Sequence, residues 1–302
     1  MNLKNRNIYN KNGLVSTAVL LAAGTGTRLY PLTQNMPKCL TLVNGVSILE
    51  RLVSCLKQHG FKRLIVVTGY LENRIRESLE NCGEGDMAID YIFSPLYETT
   101  NNIYSLWMAR EMITGPFLLI ESDIVFDVSL LDDMLYPNRI AVARMQPWMN
   151  GSTVTVNQVQ HVTRFYNGTW PLDEIRYKTV NMYSLSLSSW HGIAERLDRY
   201  ISTGRVNKYY EAVFSDMVAD GSLSLQAVSF DDKPWYEIDT ITDLAEAEKL
   251  FSADKYKAII PYNITSHTSK ISRQFFQKTK SSEVKTITRS LPALRPLPHP
   301  SI

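Results

Sequence analysis

Four short apolar runs govern what this chain can fold into: TAVLLAA at 17–23, RLIVVTG at 63–69, MAIDYIF at 87–93 and PFLLIESDIVF at 116–126. Near-continuous apolar runs suit strands covered on both faces, as in a parallel sheet. The segments between them have helical spacing. SILERLVSCLKQHG (47–60) sets Ile48, Leu49, Leu52, Val53 and Leu56 on one face, with Gly60 placed to cap the C-terminus. LENRIRESLE (71–80) and NNIYSLWMAREM (101–112) read as two more helices. Strand–helix alternation at this spacing predicts an α/β fold, a doubly wound and mostly parallel sheet. A length of 302 residues suffices for one large domain of this kind or two small ones.

The pattern loosens after residue 139. IAVARM, STVTV and HVTRFY predict shorter, partly antiparallel strands, and YKTVNMYSLS (177–186) predicts another, together a smaller β region. Residues 190–202 and 207–219 read as helices and SLQAVSF (224–230) as a strand, while WYEID (235–239) leads into a helix, TITDLAEAEKLF (240–251). The folded domain is expected to span residues 14–251. Residues 1–13, MNLKNRNIYNKNG, lack the apolar centre of a secretory signal and read as a disordered lead-in. Residues 252–302 contain no glycine and few acids, and carry four prolines within 292–300. That composition predicts a basic, Pro-rich disordered tail, or a linker to a downstream domain or partner.

No segment has the ~18 consecutive apolar residues of a membrane-spanning helix. A formal net charge of +2 favours no polyanion, and no nucleic-acid partner is expected. The three cysteines, Cys39, Cys55 and Cys82, have neither paired nor metal-like spacing, which fits a reducing, cytoplasmic location.

The chemistry is concentrated in LLAAGTGTRLYPLTQNMPKCL, residues 20–40. A dinucleotide loop needs a third glycine, and Leu29 stands there. A P-loop needs its lysine at once, whereas Lys38 follows Gly26 by 12 positions, past Pro31 and Pro37. What remains is a glycine turn whose N–H groups can face an anion, with Arg28 inside it and Lys38 on a proline-stiffened segment. This arrangement resembles the nucleotidyltransferases that activate sugar phosphates and related esters. Their signature, L-A-A-G-x-G-x-R-x-x-P-L-T-x-x-x-P-K, is matched at every fixed position from Leu21 to Lys38. The resemblance extends over roughly residues 14–251 and implies their Rossmann-like fold. TTNNIYSLWMAR (99–110), ESDIV (121–125) and YEIDT (236–240) look like the cytidylyltransferase branch, which includes bacterial choline-phosphate and 2-aminoethylphosphonate cytidylyltransferases. KTVNMYSLS (178–186) looks more like the phosphonate group, since other members lack the lysine and have a glycine near Asn181.

The resemblance implies in-line attack of a phosphate or phosphonate oxygen on the α-phosphorus of CTP, expelling pyrophosphate. The nucleophile is already an anion, so positioning and charge neutralisation carry catalysis. It further implies that Asp123 and Asp239 hold Mg²⁺, an ion content with one or two carboxylates. The other role open to Asp239, the less favoured one, is to cap the helix beginning at 240. Arg28 is expected on the β- and γ-phosphates, and Lys38 on the α-phosphate and the attacking oxygen. The N–H groups of Gly24, Thr25, Gly26 and Thr27 are expected to cradle the triphosphate, with Leu21, Ala22 and Ala23 against the cytosine. Asn102 and Ser105 are expected to contact nucleotide or acceptor, although Asn102 also suits a helix cap. For the acceptor the candidates are Lys178 for its phosphonate or phosphate, Asn181, Tyr183 and Trp148 around it, and Glu211 for an amine. Lys178 and Asn181 are an odd number of positions apart, so they share a face only if the strand is bulged. The expected activity is transfer of CMP to 2-aminoethylphosphonate. The alternatives are phosphocholine, a sugar 1-phosphate with another NTP, or a catalytically inert nucleotide-binding module.

Overall fold

The structure is a computed structural model and describes residues 13–82, 87–147, 149–166 and 175–251. The expected lead-in, apart from Gly13, and the expected tail lie outside the described residues, as does Trp148. In chain order the elements are β1 (Thr17–Ala22), β2 (Leu42–Val43), β3 (Val46–Ser47), α1 (Ile48–Gln58), β4 (Arg63–Thr68), α2 (Glu72–Asn81), β5 (Ala88–Phe93), α3 (Asn102–Met108), β6 (Phe117–Glu121) and β7 (Ile124–Phe126). They continue with α4 (Leu131–Met134), β8 (Arg139–Arg144), β9 (Thr153–Val156), β10 (Val162–Tyr166), β11 (Tyr177–Leu185), α5 (Leu187–Ser202), α6 (Glu211–Ala219), β12 (Gln226–Ser229), β13 (Trp235–Glu237) and α7 (Ile241–Leu250).

β1 lies between β4 and β6, parallel to both, and β5 extends this half in parallel beyond β4. β11 then runs antiparallel to β6 and carries β8, which pairs in parallel with β12. β9 and β10 join the same sheet through β11, so the expected smaller β region extends the main sheet. The strands are apolar on both faces because both are covered. Leu20, Leu64, Val66 and Leu118 pack with Leu49, Leu52 and Leu56 of α1 and Ile75 of α2. Val19, Ile65, Val67 and Leu119 pack with Ile103 of α3, Trp190 and Ile193 of α5 and Phe214 of α6. Each such side chain contributes about 1.5–3 kcal/mol when fully buried. At the start of α1, Ser47 and Glu50 form a reciprocal capping box, and Gly60 follows its end at φ +74°.

Two features depart from the sequence reading. The run 116–126 is not one strand: β6 ends at Glu121, the chain turns through Ser122 and Asp123, and β7 leaves the main sheet to pair antiparallel with β13. Two carboxylates cannot continue through a doubly covered sheet without partners, so the chain turns where they begin. Asp123 thus sits in this turn rather than on a strand. The second feature is the β2–β3 hairpin, turned by Asn44 and Gly45 at φ +51° and +80°. Its two-residue strands are too short to register as a period. Among the described residues no helix is long and apolar enough to cross a membrane. Cys39, Cys55 and Cys82 are free and buried, and burial pushes each thiol up to about 12.

Candidate active site

The glycine turn begins where β1 ends, on the side of the sheet where open α/β folds bind ligands. Leu21, Ala22 and Ala23 are buried at the strand's end, and Gly24 to Thr27 rise into solvent or partial exposure. Gly26 takes φ +65°, and a Cβ there would lie 3.1 Å from Lys38 Cβ and 3.2 Å from Thr33 Cγ2. Glycine is therefore required twice over, by conformation and by space. The Thr33 hydroxyl donates to the Gly26 carbonyl at 2.8 Å and ties the turn to the segment carrying Lys38.

Lys38, Asp123 and Asp239 form one charge cluster. Lys38 Nζ donates to Asp123 Oδ2 and to Asp239 Oδ1, each at 2.6 Å. Arg28 Nη2 lies 2.7 Å from the same Asp239 oxygen, with its side chain 62% exposed. Burial works against the Lys38 charge, but the attraction and hydrogen bonds of Asp123 and Asp239 outweigh it and hold its pKa above the ordinary 10.5. The two acids meet because β13 pairs with β7: Glu237 lies opposite Ile124, and the Ile238 N–H donates to the Asp123 carbonyl at 2.9 Å. The cap at the start of α7 is Thr240, in a capping box with Asp243, so the Asp239 carboxylate is left to the cluster. Asp123 Oδ1 is buried and has no hydrogen-bond partner among the described residues. An unpartnered buried carboxylate oxygen beside a second carboxylate suits a divalent cation, and Asp123 and Asp239 are the residues that could hold one. Among the described residues no group of three or more His, Cys, Asp or Glu could do so, which leaves the other ligands to water and phosphate, as magnesium accepts.

Where the acceptor candidates lie, the β11 register slips between Thr179, opposite Val142, and Tyr183, opposite Ile140. Asn181 inside this bulge has φ +51°, rare for a residue with a side chain. The bulge brings Lys178 and Asn181 onto one carboxylate. Lys178 Nζ lies 3.0 Å from Glu237 Oε2, and Asn181 Nδ2 donates to Glu237 Oε1 at 2.9 Å. Lys178, Glu237 and Asp239 line a common hollow of about 20 Å³ together with Trp235.

Deeper in, Glu121 and Glu211 approach the Tyr183 and Tyr210 rings, whose centroids stand 5.7 Å apart, edge to face. The Tyr183 hydroxyl faces Glu211 and the Tyr210 hydroxyl faces Glu121, so two acids and two phenols share one buried cluster. Burial pushes the Glu211 carboxyl up to about 7, with Glu237 adding to the rise and Lys178 opposing it. Burial also raises Glu121 well above the carboxylate range, with Asp123 and Glu211 adding to it.

Arg28, Lys38, Asp123 and Asp239 therefore come together, as do Lys178, Asn181, Tyr183 and Glu211 with their neighbours. Asn102 is otherwise engaged: its Nδ2 donates to Glu121 Oε1 at 3.0 Å, and its Oδ1 accepts from the Tyr210 N–H at 3.0 Å. The cap of α3 is its neighbour Asn101. Ser105 is buried within α3. Sequence reasoning missed Glu121 and Glu237. The signals were present in ESD (121–123) and YEID (236–239), where one acid of each pair drew attention away from the other.

A profile of the nucleotidyl transferase family matches residues 17–165. CMP-5'-(3-aminopropyl)phosphonate synthase of Streptomyces rubellomurinus is 30% identical over 260 residues, 82% of this chain and 41% of that protein, so the chain spans less than half of that relative's length. 2-Aminoethylphosphonate cytidylyltransferase of Lancefieldella rimae is 26% identical over 245 residues, 79% of this chain and 94% of that protein. Among solved structures, that of CTP:phosphocholine cytidylyltransferase from Streptococcus pneumoniae superposes with a TM-score of 0.69 at 23% identity, covering 78% of this chain and 99% of that one. The sheet order, the glycine turn with its trailing lysine and these matches agree: residues 17–165 of the chain belong to the nucleotidyl transferase family.

Proposed function

We propose that the protein transfers CMP from CTP to 2-aminoethylphosphonate, giving CMP-aminoethylphosphonate and pyrophosphate with the help of a divalent cation, as Mg²⁺. The observation that carries the choice of acceptor is Glu211. Its carboxyl is buried beside the Tyr183 hydroxyl and close to the acids Glu121 and Glu237, and a primary ammonium, with three N–H donors, suits such a cluster of buried acceptors. A trimethylammonium has no N–H to give and depends instead on open aromatic faces. Here Tyr183 and Tyr210 are buried and packed on each other and on Phe214, so their faces are largely taken. Lys178 supplies the positive charge for the phosphonate end. The two aminoalkylphosphonate relatives support the same acceptor class.

In this reading the glycine turn binds the triphosphate through its N–H groups, and Arg28 swings from Asp239 to the outer phosphates. Lys38 faces the α-phosphate and neutralises charge that grows as the phosphonate oxygen attacks. Asp123 and Asp239 would hold the divalent cation, which when bound would supply Lewis-acid stabilisation of the same charge. The phosphonate is already ionised, so none of these groups has to remove a proton from it.

Incubation with CTP, a magnesium salt and equal concentrations of 2-aminoethylphosphonate and phosphocholine tests the proposal by phosphorus NMR. The CMP–phosphonate resonance is expected to grow at least about tenfold faster, as one charge-assisted hydrogen bond can provide. Faster growth of a phosphocholine product sinks the choice of acceptor, and absence of any CMP-linked product sinks the activity. Glu211→Gln gives a second expected result. The folded-state pKa of Glu211, about 7, lies above the ordinary 4.5, so its protonated form is favoured in the folded protein and stability falls as pH rises from 4.5 to 7. The variant is therefore expected to be more stable than the parent at pH 8, on the order of 1 kcal/mol or more, and to lose that advantage near pH 4. Denaturant titrations at the two pH values read the difference, while the KM for the aminophosphonate is expected to rise.

A further inference from the structure

Glu237 lies between the two halves of the site. One of its oxygens takes the Lys178 ammonium at 3.0 Å and the other the Asn181 amide at 2.9 Å, so the carboxylate is gripped at both ends. Asn181 is braced in turn by the Thr179 hydroxyl, which donates to its Oδ1 at 3.1 Å. The Lys178 side chain is only 2% exposed. An ammonium has three donors. In Lys178 one goes to the Thr179 carbonyl at 2.8 Å and one to Glu237. No partner for the third is found among the described residues. With two bonds fixed, tetrahedral geometry sets the direction of the third. Space is kept open at the nitrogen by Gly151, at φ +95°, where a Cβ would come within 3.3 Å of Nζ.

The backbone is distorted to achieve this. Three positions separate Lys178 and Asn181, so a regular strand would turn them to opposite faces. The register slip and the left-handed Asn181 instead bring both to Glu237. Left-handed conformations in residues with side chains cost stability and persist where the surroundings enforce them. Glu237 is also two residues before Asp239 and opposite Ile124, which follows Asp123. The strand that leads into an acid of the charge cluster thus also presents the carboxylate that orients Lys178.

The geometry points to Glu237 as a positioning residue: it aims the third Lys178 N–H at the anionic group of the acceptor and, through β13, fixes that group's distance from the Asp123–Asp239 pair. This rests on the reading of Lys178 as the acceptor's anion ligand. Nothing is asked of Glu237 beyond holding its two partners.

Steady-state kinetics on the full chain test it. Glu237→Gln keeps the side chain's size and one oxygen but removes the charge that fixes the ammonium. The KM for the aminophosphonate is expected to rise about tenfold or more, as for loss of one hydrogen bond to a charged group, with the KM for CTP within about twofold of the parent. Lys178→Met is expected to raise the same constant at least as much. Combined with Glu237→Gln it should add little, because Glu237 acts only through Lys178. Asn181→Gly tolerates the left-handed backbone and removes one grip on the carboxylate; a smaller rise in the same KM is expected, and this variant carries the test if Glu237→Gln does not fold. Additive losses in the double variant, or a fall in kcat with an unchanged acceptor KM, overturn the positioning role while wild-type turnover leaves the functional reading standing. No turnover by the wild type with any aminophosphonate or amino-alcohol phosphate overturns both.

Discussion

Asp123→Asn is expected to lower kcat by on the order of a thousandfold while the protein stays folded, the scale seen when one preorganised charge-stabilising group is lost. Asp123 contributes two different oxygens. Oδ2 holds Lys38 at 2.6 Å, and Oδ1 is buried without a partner. Asparagine fills the same volume but supplies one neutral oxygen and an amide, a poor ligand set for a hard cation. Lys38 keeps Asp239 at 2.6 Å, so its burial remains compensated. The expected stability loss is that of one charge-assisted hydrogen bond, about 1.5–3 kcal/mol. Pyrophosphate release measures the turnover, and circular dichroism with thermal melting measures the fold. A folded variant with near-parental turnover removes Asp123 from the chemistry.

Lys38→Met is expected to cost a similar factor in kcat, on the order of a hundredfold to a thousandfold. Its stability signature is distinct. Lys38 Nζ stands 2.6 Å from one oxygen of each of two carboxylates, so removing it leaves two like charges facing one another. Because the folded-state pKa of Lys38 is raised above 10.5, its contribution is fully present below pH 10.5 and is lost as pH rises through the folded value. The stability gap between parent and variant should therefore be flat from pH 7 to 10 and shrink at higher pH. A divalent cation should raise the melting temperature of the variant more than that of the parent, since the carboxylates no longer hold an ammonium. A pH-independent gap, or an equal response to the cation, would show that Lys38 does not share these acids.

The parts of this structure that could be read from the sequence are those set by local pattern. The doubly covered strands announce themselves in TAVLLAA and RLIVVTG, and the turn from Gly24 to Thr27 in its glycines. The break after Glu121 was hidden because Ile124–Phe126 restores the apolar run on its far side, in a different sheet. Whether Asp239 and Asn102 cap helices could not be decided, since Thr240 and Asn101 beside them are equally good caps, and the choice depends on where the chain enters each helix. The meeting of Lys178 with Asn181 depends on a register slip in β11, and the strand's own sequence has no period that reports it. Glu237 and Glu121 gain their importance only from partners far along the chain, Lys178 and Asn102.

Lys38 and Asp239 lie 201 positions apart, and Asp239 arrives in the short link between the last strand and the closing helix. A chain emerging from the ribosome has its glycine turn early and its second acid only after nearly the whole domain has been made. Until β13 docks on β7, Lys38 has only part of its compensation for burial. Nascent or truncated chains ending before Asp239 hold the glycine turn and yet lack one of the two carboxylates that meet Lys38. The contact that completes the charge cluster therefore forms only once the chain has closed on itself.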